Sequence, residues 1–318
     1  MEFYFDEVES CELCGSYIDE YVYDVEVDDD THTFMANGIL VHNSVYVTLG
    51  DVLDSANVTD DKINFIINLN KEKVSPFLGD MFERYAKMYG VTNTQNLEME
   101  KISYGALMVA KKKYILDFAW KDSGVIYSPQ EKIKPTGIEI VQGSTPKYVR
   151  GILTDMVKLI LSRGNNITYD EIVSKLLQVK QEFNLKSPDD ISYTKSVGDY
   201  EKFILEDKKQ LVLGSKCPIH VRAAGIYNHK LFNSKYRNKY NTIKTGDKIK
   251  YYYTKSPKKY SEDNVFGFVP NSYPMEFAIP LDYDTMFEKI VLDPLNRWIG
   301  CMGFPPVPSN LVYTHSLF

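Results

Sequence analysis

All 37 Lys and Arg residues of this 318-residue chain lie after residue 43, whereas 12 of its 43 Asp and Glu residues lie before residue 44. The first 43 residues therefore carry a formal charge of −12 and the remaining 275 a charge of +6. This split constrains folding more than any motif does. A short piece of one charge sign cannot close a core of its own and orders only against a partner. The basic remainder is long enough for two domains at roughly 150 residues each. Charge asymmetry of this size points to two units with different partners. It also removes the objection that an overall pI near 5.5 raises against nucleic acid.

Several classes are excluded at once. No apolar run approaches the roughly 20 residues of a spanning helix, and the acidic start is unlike a signal peptide, so a cytoplasmic protein without a membrane partner is expected. Four Cys do not make a disulfide framework. Cys11-x-x-Cys14 would need two further ligands to hold zinc, so unpaired thiols are expected there. Cys217, Cys301, Trp120, Trp298 and the helical Met positions read as core.

The patterning is that of an α+β chain. Tyr21–Val27 alternates apolar and polar residues, Thr33–Met35 resumes after three Asp, and Asn37-Gly38 is a strong hairpin turn. Ser44–Leu49 reads as a further short strand. Helical spacing covers Ile63–Leu69 and Phe77–Met88, with Pro76 separating two helices or starting the second. Strands are expected at 97–103, 106–110 and 113–120. A helix should open at Ser144-Thr145-Pro146, with Pro in its first turn. A helix over about 169–185, a strand over 248–253 and a helix over about 285–292 follow.

Between Lys230 and Lys259 stand ten Lys and Arg with one acid, Asp247, interleaved with Tyr236, Tyr240, Tyr251, Tyr252 and Tyr253. Cations for phosphate and rings for stacking suit a nucleic-acid surface. A solvated basic loop explains the same composition equally well.

Val22–Val27, then His32-Thr33-Phe34, then Ala36-Asn37-Gly38-Ile39-Leu40-Val41-His42-Asn43-Ser44 resembles the C-terminal end of an intein. The residue types suit that chemistry. Ser44 supplies a hydroxyl that accepts an acyl group, and Asn43 can attack its own carbonyl to form a succinimide and cut the chain. His42 has a pKa near operating pH and can assist at the scissile carbonyl. The resemblance implies His32 as a second acid/base and Asp24 as a modulator of the upstream step. With 43 residues before the junction, the chain resembles the C-terminal half of a split intein, whose Hint fold a partner chain completes. Its charge implies a basic partner fragment steered in electrostatically.

Downstream, Ser44-Val45-Tyr46-Val47 resembles the end of motif C of family B DNA polymerases, Tyr-Gly-Asp-Thr-Asp-Ser before an apolar strand. Lys111-Lys112-Lys113-Tyr114 resembles the KKxY motif at the family's palm–thumb border. Gly137-Ile138-Glu139 with Ser144-Thr145-Pro146-Lys147 resembles the entry to the thumb. Lys216-Cys217-Pro218-Ile219-His220-Val221-Arg222 resembles a thumb segment of the tailed-phage branch. The implied organisation is a splicing segment at 1–43, the end of a palm at 44–135 and a mainly helical thumb at 136–318.

On this resemblance Lys111, Lys112, Lys113 and Tyr114 would grip primer–template DNA, with Lys147, Lys216, His220 and Arg222 as further contacts. His220 read alone is equally a core histidine. Splicing needs no cofactor. The ligated polymerase would use magnesium held by aspartates of the upstream chain, so no metal ligands are expected here. The partners implied are that chain and DNA. Leu317 and Phe318 begin, and do not complete, a sliding-clamp peptide. The alternative function is a non-catalytic DNA-binding subunit that associates non-covalently and carries an inactive splicing remnant.

Overall fold

A computed structural model of the chain describes residues 22–27, 33–36, 39–42 and 47–310, with interruptions at 57, 59–60, 94–95, 123, 208–209, 215 and 256–263. The fold is mixed α+β. Two units divide it: Met1–Thr136 with Lys158–Ile167 and Cys301–Gly303, and Gly137–Val157 with Thr168–Gly300 and Phe304–Phe318.

The first unit is built on a sheet. Strands β1 (Val22–Val27), β2 (Thr33–Ala36) and β3 (Ile39–His42) come first. Helices α1 (Gly50–Ser55), α2 (Lys62–Leu69) and α3 (Ser75–Met88) follow. Strands β4 (Leu97–Ala110), β5 (Lys113–Lys121), β6 (Val125–Ile126) and β7 (Ile133–Thr136) complete the unit. The sheet order is β1-β4-β5-β6, with β7 also on β5. The two strands expected at 97–103 and 106–110 are one. Register shifts on either side of Ser103 bend β4 without ending it, as a bulge does. Strand β1 lies antiparallel on β4, from Val22 opposite Ser103 to Val27 opposite Leu97. Strands β2 and β3 form a separate hairpin with Ala36 opposite Ile39. The two residues between them are Asn37-Gly38, the expected turn dipeptide, which lies outside the described residues.

The strand expected at 44–49 is not one where it is described. Val47–Leu49 leads straight into α1, because Leu49 and Leu53 are spaced to share one helical face. Both are buried with Ile63, Ile66, Met99, Ile102 and Ala119. Trp120 packs on this cluster half-buried. Asp61 caps α2 and accepts a hydrogen bond from the Asn64 amide. Pro76 makes no gap between helices. The chain runs from α2 through a π turn, Asn70–Val74, into α3, and Pro76 sits in the first turn of α3.

One expectation fails on α3. The helical Met positions read as core, yet only Phe82 and Ala86 of this helix are buried. Phe77, Met81 and Met88 are 68%, 38% and 79% exposed. The helix packs on β4 with the Phe82 and Ala86 side alone, which leaves the methionine side uncovered.

In the second unit, Thr145 and Pro146 are buried just ahead of α4 (Lys147–Arg163), the helix expected from Ser-Thr-Pro. Helix α5 (Tyr169–Phe183) opens with a capping box between Thr168 and Glu171. Short α6 (Pro188–Ile191), β8 (Tyr193–Ser196) and α7 (Tyr200–Phe203) follow. Next come the hairpin β9 (Ile204–Asp207) and β10 (Gln210–Leu213), and helix α8 (Ile219–Phe232). Strands β11 (Lys248–Tyr253) and β12 (Val265–Phe268) precede α9 (Tyr283–Phe287), a π turn over Glu288–Leu292 and α10 (Asp293–Cys301).

This unit has more β structure than the mainly helical one expected, with a three-stranded sheet ordered β12-β11-β8 and the β9–β10 hairpin. Helix α8 lies against β11 and β12. A side chain at Gly267 would meet the Ala223 backbone at 2.9 Å, so glycine is what allows α8 this close. Tyr252, Phe266, Phe268 and Trp298 are fully buried. Lys180 on α5 is buried too, paired with Asp284 at 2.7 Å and 4.9 Å from the Phe287 ring centre.

Candidate nucleic-acid interface

In the first unit the β4–β5 hairpin turns on two residues, Lys111 and Lys112, with Ala110 opposite Lys113. Lys112 takes the left-handed conformation, φ 61°, that so tight a reversal requires. Lys111, Lys112 and Lys113 are all exposed, and among the described residues none of them is in an ion pair. Three cations are thus held at the tip of a tight two-residue hairpin. Tyr114 is half-buried, packed on Ala106, Leu116 and Phe118. It anchors the hairpin to the sheet.

Sequence reading missed a neighbour in this hairpin. Asp117 on β5 is only 3% exposed, and both its oxygens accept from the Gln130 amide at 2.9 Å. Burial pushes its carboxyl up to about 6, against the lowering effect of that hydrogen bond. Gln130 itself sits at φ 64°. The carboxylate therefore staples the 128–131 loop beneath the hairpin, a role no local motif advertises.

In the second unit the sequence-derived cations divide. Lys147, the exposed first residue of α4, opens on a cleft of about 700 Å³. Lys248 and Lys250 of β11 and Arg150 of α4 share its walls, with Glu182 and Asp189 among the opposing acids. Lys250 is committed within it, donating to the Asp189 backbone at 2.6 Å and pairing with that carboxylate at 3.1 Å. Lys216 is exposed on the turn before α8, at φ 57°. Arg222 is drawn inward, its Nη2 donating to Asn264 at 2.9 Å. His220 lies 6.5 Å from the Tyr251 ring, and burial, then the Lys195 charge, holds its pKa below the usual value. Its surroundings are those of a histidine packed at a helix start. Glu139, in the Gly137-Ile138-Glu139 stretch, pairs with Arg297.

The Lys230–Lys259 window is not one surface. Tyr251 and Tyr252 are buried in β11, and Tyr253 is half-buried. Lys239 and Tyr240 both bond Glu276, which holds that carboxyl down to about 2. Lys235, Arg237 and Lys244 remain exposed. Lys258 and Lys259 lie outside the described residues.

Of the splicing residues, His42 ends β3, opposite Thr33, the chain neighbour of His32. Asp24 stands on β1, opposite Lys101 in register. His32, Asn43 and Ser44 fall outside the described residues, as do Cys11, Cys14, Leu317 and Phe318. Cys217 and Cys301, expected buried, are half-buried, and Cys301 donates to the Val109 carbonyl at 3.4 Å. Among the described residues, no three His, Cys, Asp or Glu stand close enough to hold a metal ion. No helix among them is long and apolar enough to cross a membrane.

Comparison with known proteins places these elements. The sequence profile of DNA polymerase family B matches residues 61–302, which is most of the chain and includes the lysine hairpin, α4 and α8. The chain belongs to DNA polymerase family B. It is 24% identical over 302 residues to the DNA-directed DNA polymerase of Enterobacteria phage T4, covering 87% of this chain and 31% of that protein. It is 23% identical over 205 residues to the DNA-directed DNA polymerase of Escherichia phage RB69, covering 59% of this chain and 21% of that one. A DNA polymerase of Thermococcus sp. (strain GE8) is 29% identical over 149 residues, 46% of this chain and 7% of the relative. The chain thus spans under a third of the length of each of these relatives.

Proposed function

We propose that this chain is the downstream half of a family B DNA polymerase made in two pieces and joined by protein splicing. Residues 1–43 act as the C-terminal part of the splicing element. The remaining residues supply the end of the palm and the thumb. One observation carries the reading: a single chain carries the sequence His42-Asn43-Ser44, whose His42 ends a β hairpin, ahead of a family B match that begins at residue 61.

The chemistry balances without a cofactor. The Ser44 hydroxyl attacks the activated carbonyl at the upstream junction, takes the acyl group as an ester and releases the upstream leaving group. The Asn43 side-chain nitrogen then attacks its own main-chain carbonyl. A succinimide forms and the Ser44 amine leaves, its departure assisted by a proton from His42. That amine takes the acyl group from its own oxygen, which leaves a peptide bond. His32 and Asp24 assist as second acid/base and as modulator of the upstream step.

After ligation, Lys111, Lys112 and Lys113 would contact primer–template phosphates, with Tyr114 fixing their hairpin. Lys147 and Lys216 offer two further exposed cations. The resemblance to motif C sets the magnesium-binding aspartates before Ser44, so those ligands are assigned to the upstream chain. Magnesium bound there would stabilise the attacking and leaving oxygens.

The test is co-expression with the polymerase fragment encoded upstream, followed by intact mass. A ligated product lighter by the excised segments, lost in N43A/S44A, is the expected result. Two unchanged masses in a stable complex would instead make this chain a subunit held non-covalently.

A further inference from the structure

Helix α3 carries apolar residues on two faces and buries one. Val74, Phe77, Met81, Tyr85 and Met88 follow one another at intervals of three or four, which sets them in one stripe. Over the 14 residues of α3 that stripe is about 21 Å long. Phe82 and Ala86 face the sheet, whereas Val74, Phe77, Met81 and Met88 are 38%, 68%, 38% and 79% exposed. Tyr85 continues the stripe to Tyr89, with ring centres 4.9 Å apart, and Tyr89 is itself 48% exposed. No charge interrupts the stripe. The charges stand beside it, where Asp80 and Arg84 pair. An apolar centre with a polar rim is the anatomy of an interface. A helix apolar on both sides is suited to lie between two bodies.

We infer that the α3 stripe is the docking surface for the upstream polymerase chain. This rests on the two-piece reading above. Two facts choose this occupant over others. The stripe falls inside the family match, so it belongs to the polymerase and not to the splicing segment. About two thirds of the T4 relative has no counterpart in this chain, and on the two-piece reading that part is the upstream chain, a body larger than this one. The chain also brings that body close. Leu49 and Leu53, just past the junction, pack with Ile63 and Ile66 of α2, and α2 runs on into α3. Leu49 and Leu53 thus seat the start of the described polymerase part against the helix whose continuation bears the stripe. Docking there would hold the halves together before ligation and keep them in register after it.

The experiment separates this surface from the splicing segments. The full chain carrying N43A/S44A is mixed with the polypeptide from the same genome that ends in Tyr-Gly-Asp-Thr-Asp, truncated before its own splicing segment. Affinity is measured by analytical ultracentrifugation and by biolayer interferometry. The expected result is binding that weakens at least tenfold in F77S/M88S, with the circular dichroism and melting temperature of this chain unchanged, because both side chains are exposed. L78S, on the flank of the stripe, and K73E, on its rim, are expected to weaken binding less. Binding unaffected by F77S/M88S overturns the inference. So does a failure to bind without the splicing segments while the intact pair still ligates, and that outcome leaves the splicing reading standing. A chain that dimerises by itself and becomes monomeric in F77S/M88S overturns it in favour of a second copy as the occupant.

Discussion

Two lysine-rich stretches look alike in the sequence and behave differently in the fold. Lys111–Lys113 sit at the tip of a two-residue hairpin, exposed, with Tyr114 locking the strand beneath them. The window from Lys230 to Lys259 has over three times as many cations, yet its centre is a core strand. There Lys250 is held by Asp189, Lys239 by Glu276, and Tyr252 is fully buried. The lesson is about availability. A cation serves a phosphate only if no carboxylate has engaged it and the backbone holds it outward, and composition reports neither.

The comparison breaks most visibly at Tyr252. Tyr252→Ala removes a ring whose hydroxyl bonds the Ile279 carbonyl and Tyr273 at 3.1 Å, and should cost about 3–5 kcal/mol of stability. Chemical denaturation checks this. A stable variant with weakened DNA binding would place Tyr252 on the nucleic-acid surface after all.

Next in size is K111A/K112A/K113A. The triple change should weaken duplex DNA binding about 10- to 100-fold at 0.1 M salt and lower the salt slope by about 2.7, if each lysine neutralises one phosphate. Fluorescence anisotropy across a salt series measures both quantities. Lys250→Ala should leave that slope unchanged and lower the melting temperature, because it strands Asp189.

Asp117→Asn sharpens the account of the hairpin. The folded carboxyl, raised to about 6, binds more protons than the unfolded one near 3.8, so stability should fall as pH rises between these values and level off above. The Asn variant should lose that slope and gain about 1–2 kcal/mol at pH 8, since its amide oxygen still accepts from Gln130. Unfolding curves at pH 4.5 and 8 decide it. The smallest effect is expected of Lys239→Gln, whose side chain is 57% exposed and whose pairing with Glu276 lies at the surface, so the melting temperature should stay within a degree of the parent.

How much of this was legible follows the same division. Helix α4 announced itself through Ser144-Thr145-Pro146, and the expected helix over about 169–185 and strand over 248–253 match α5 and β11. Helix α8 did not. Val221, Ala223, Ala224, Ile226, Tyr227 and Leu231 are buried around most of its circumference, so there is no stripe to detect, and Gly225 argues against a helix. Strands β9, β10 and β12, at four residues each, are too short for periodicity to identify. At the interface, the lysine hairpin was readable from one local run of residues. The withdrawal of Arg222 to Asn264, 42 positions away, was not, because only the folded chain brings the two together.

The chain passes from α2 to α3 through the π turn at Asn70–Val74. A π turn holds one more residue than the α turn it replaces, so it shifts the phase of everything after it by about 100°. Upstream of that surplus residue, Ile63 and Ile66 point into the core. Downstream, Phe82 and Ala86 inherit the inward direction and the methionines are dialled outward. Were that turn drawn into the α repeat with every residue kept, the Phe77–Met88 side would come round toward β4; deleting one residue from 70–74 would instead remove the surplus and leave Phe82 and Ala86 facing inward. Whether α3 shows an apolar stripe or hides it thus depends on how a single surplus residue is housed, as a π turn or as one more step of the α repeat.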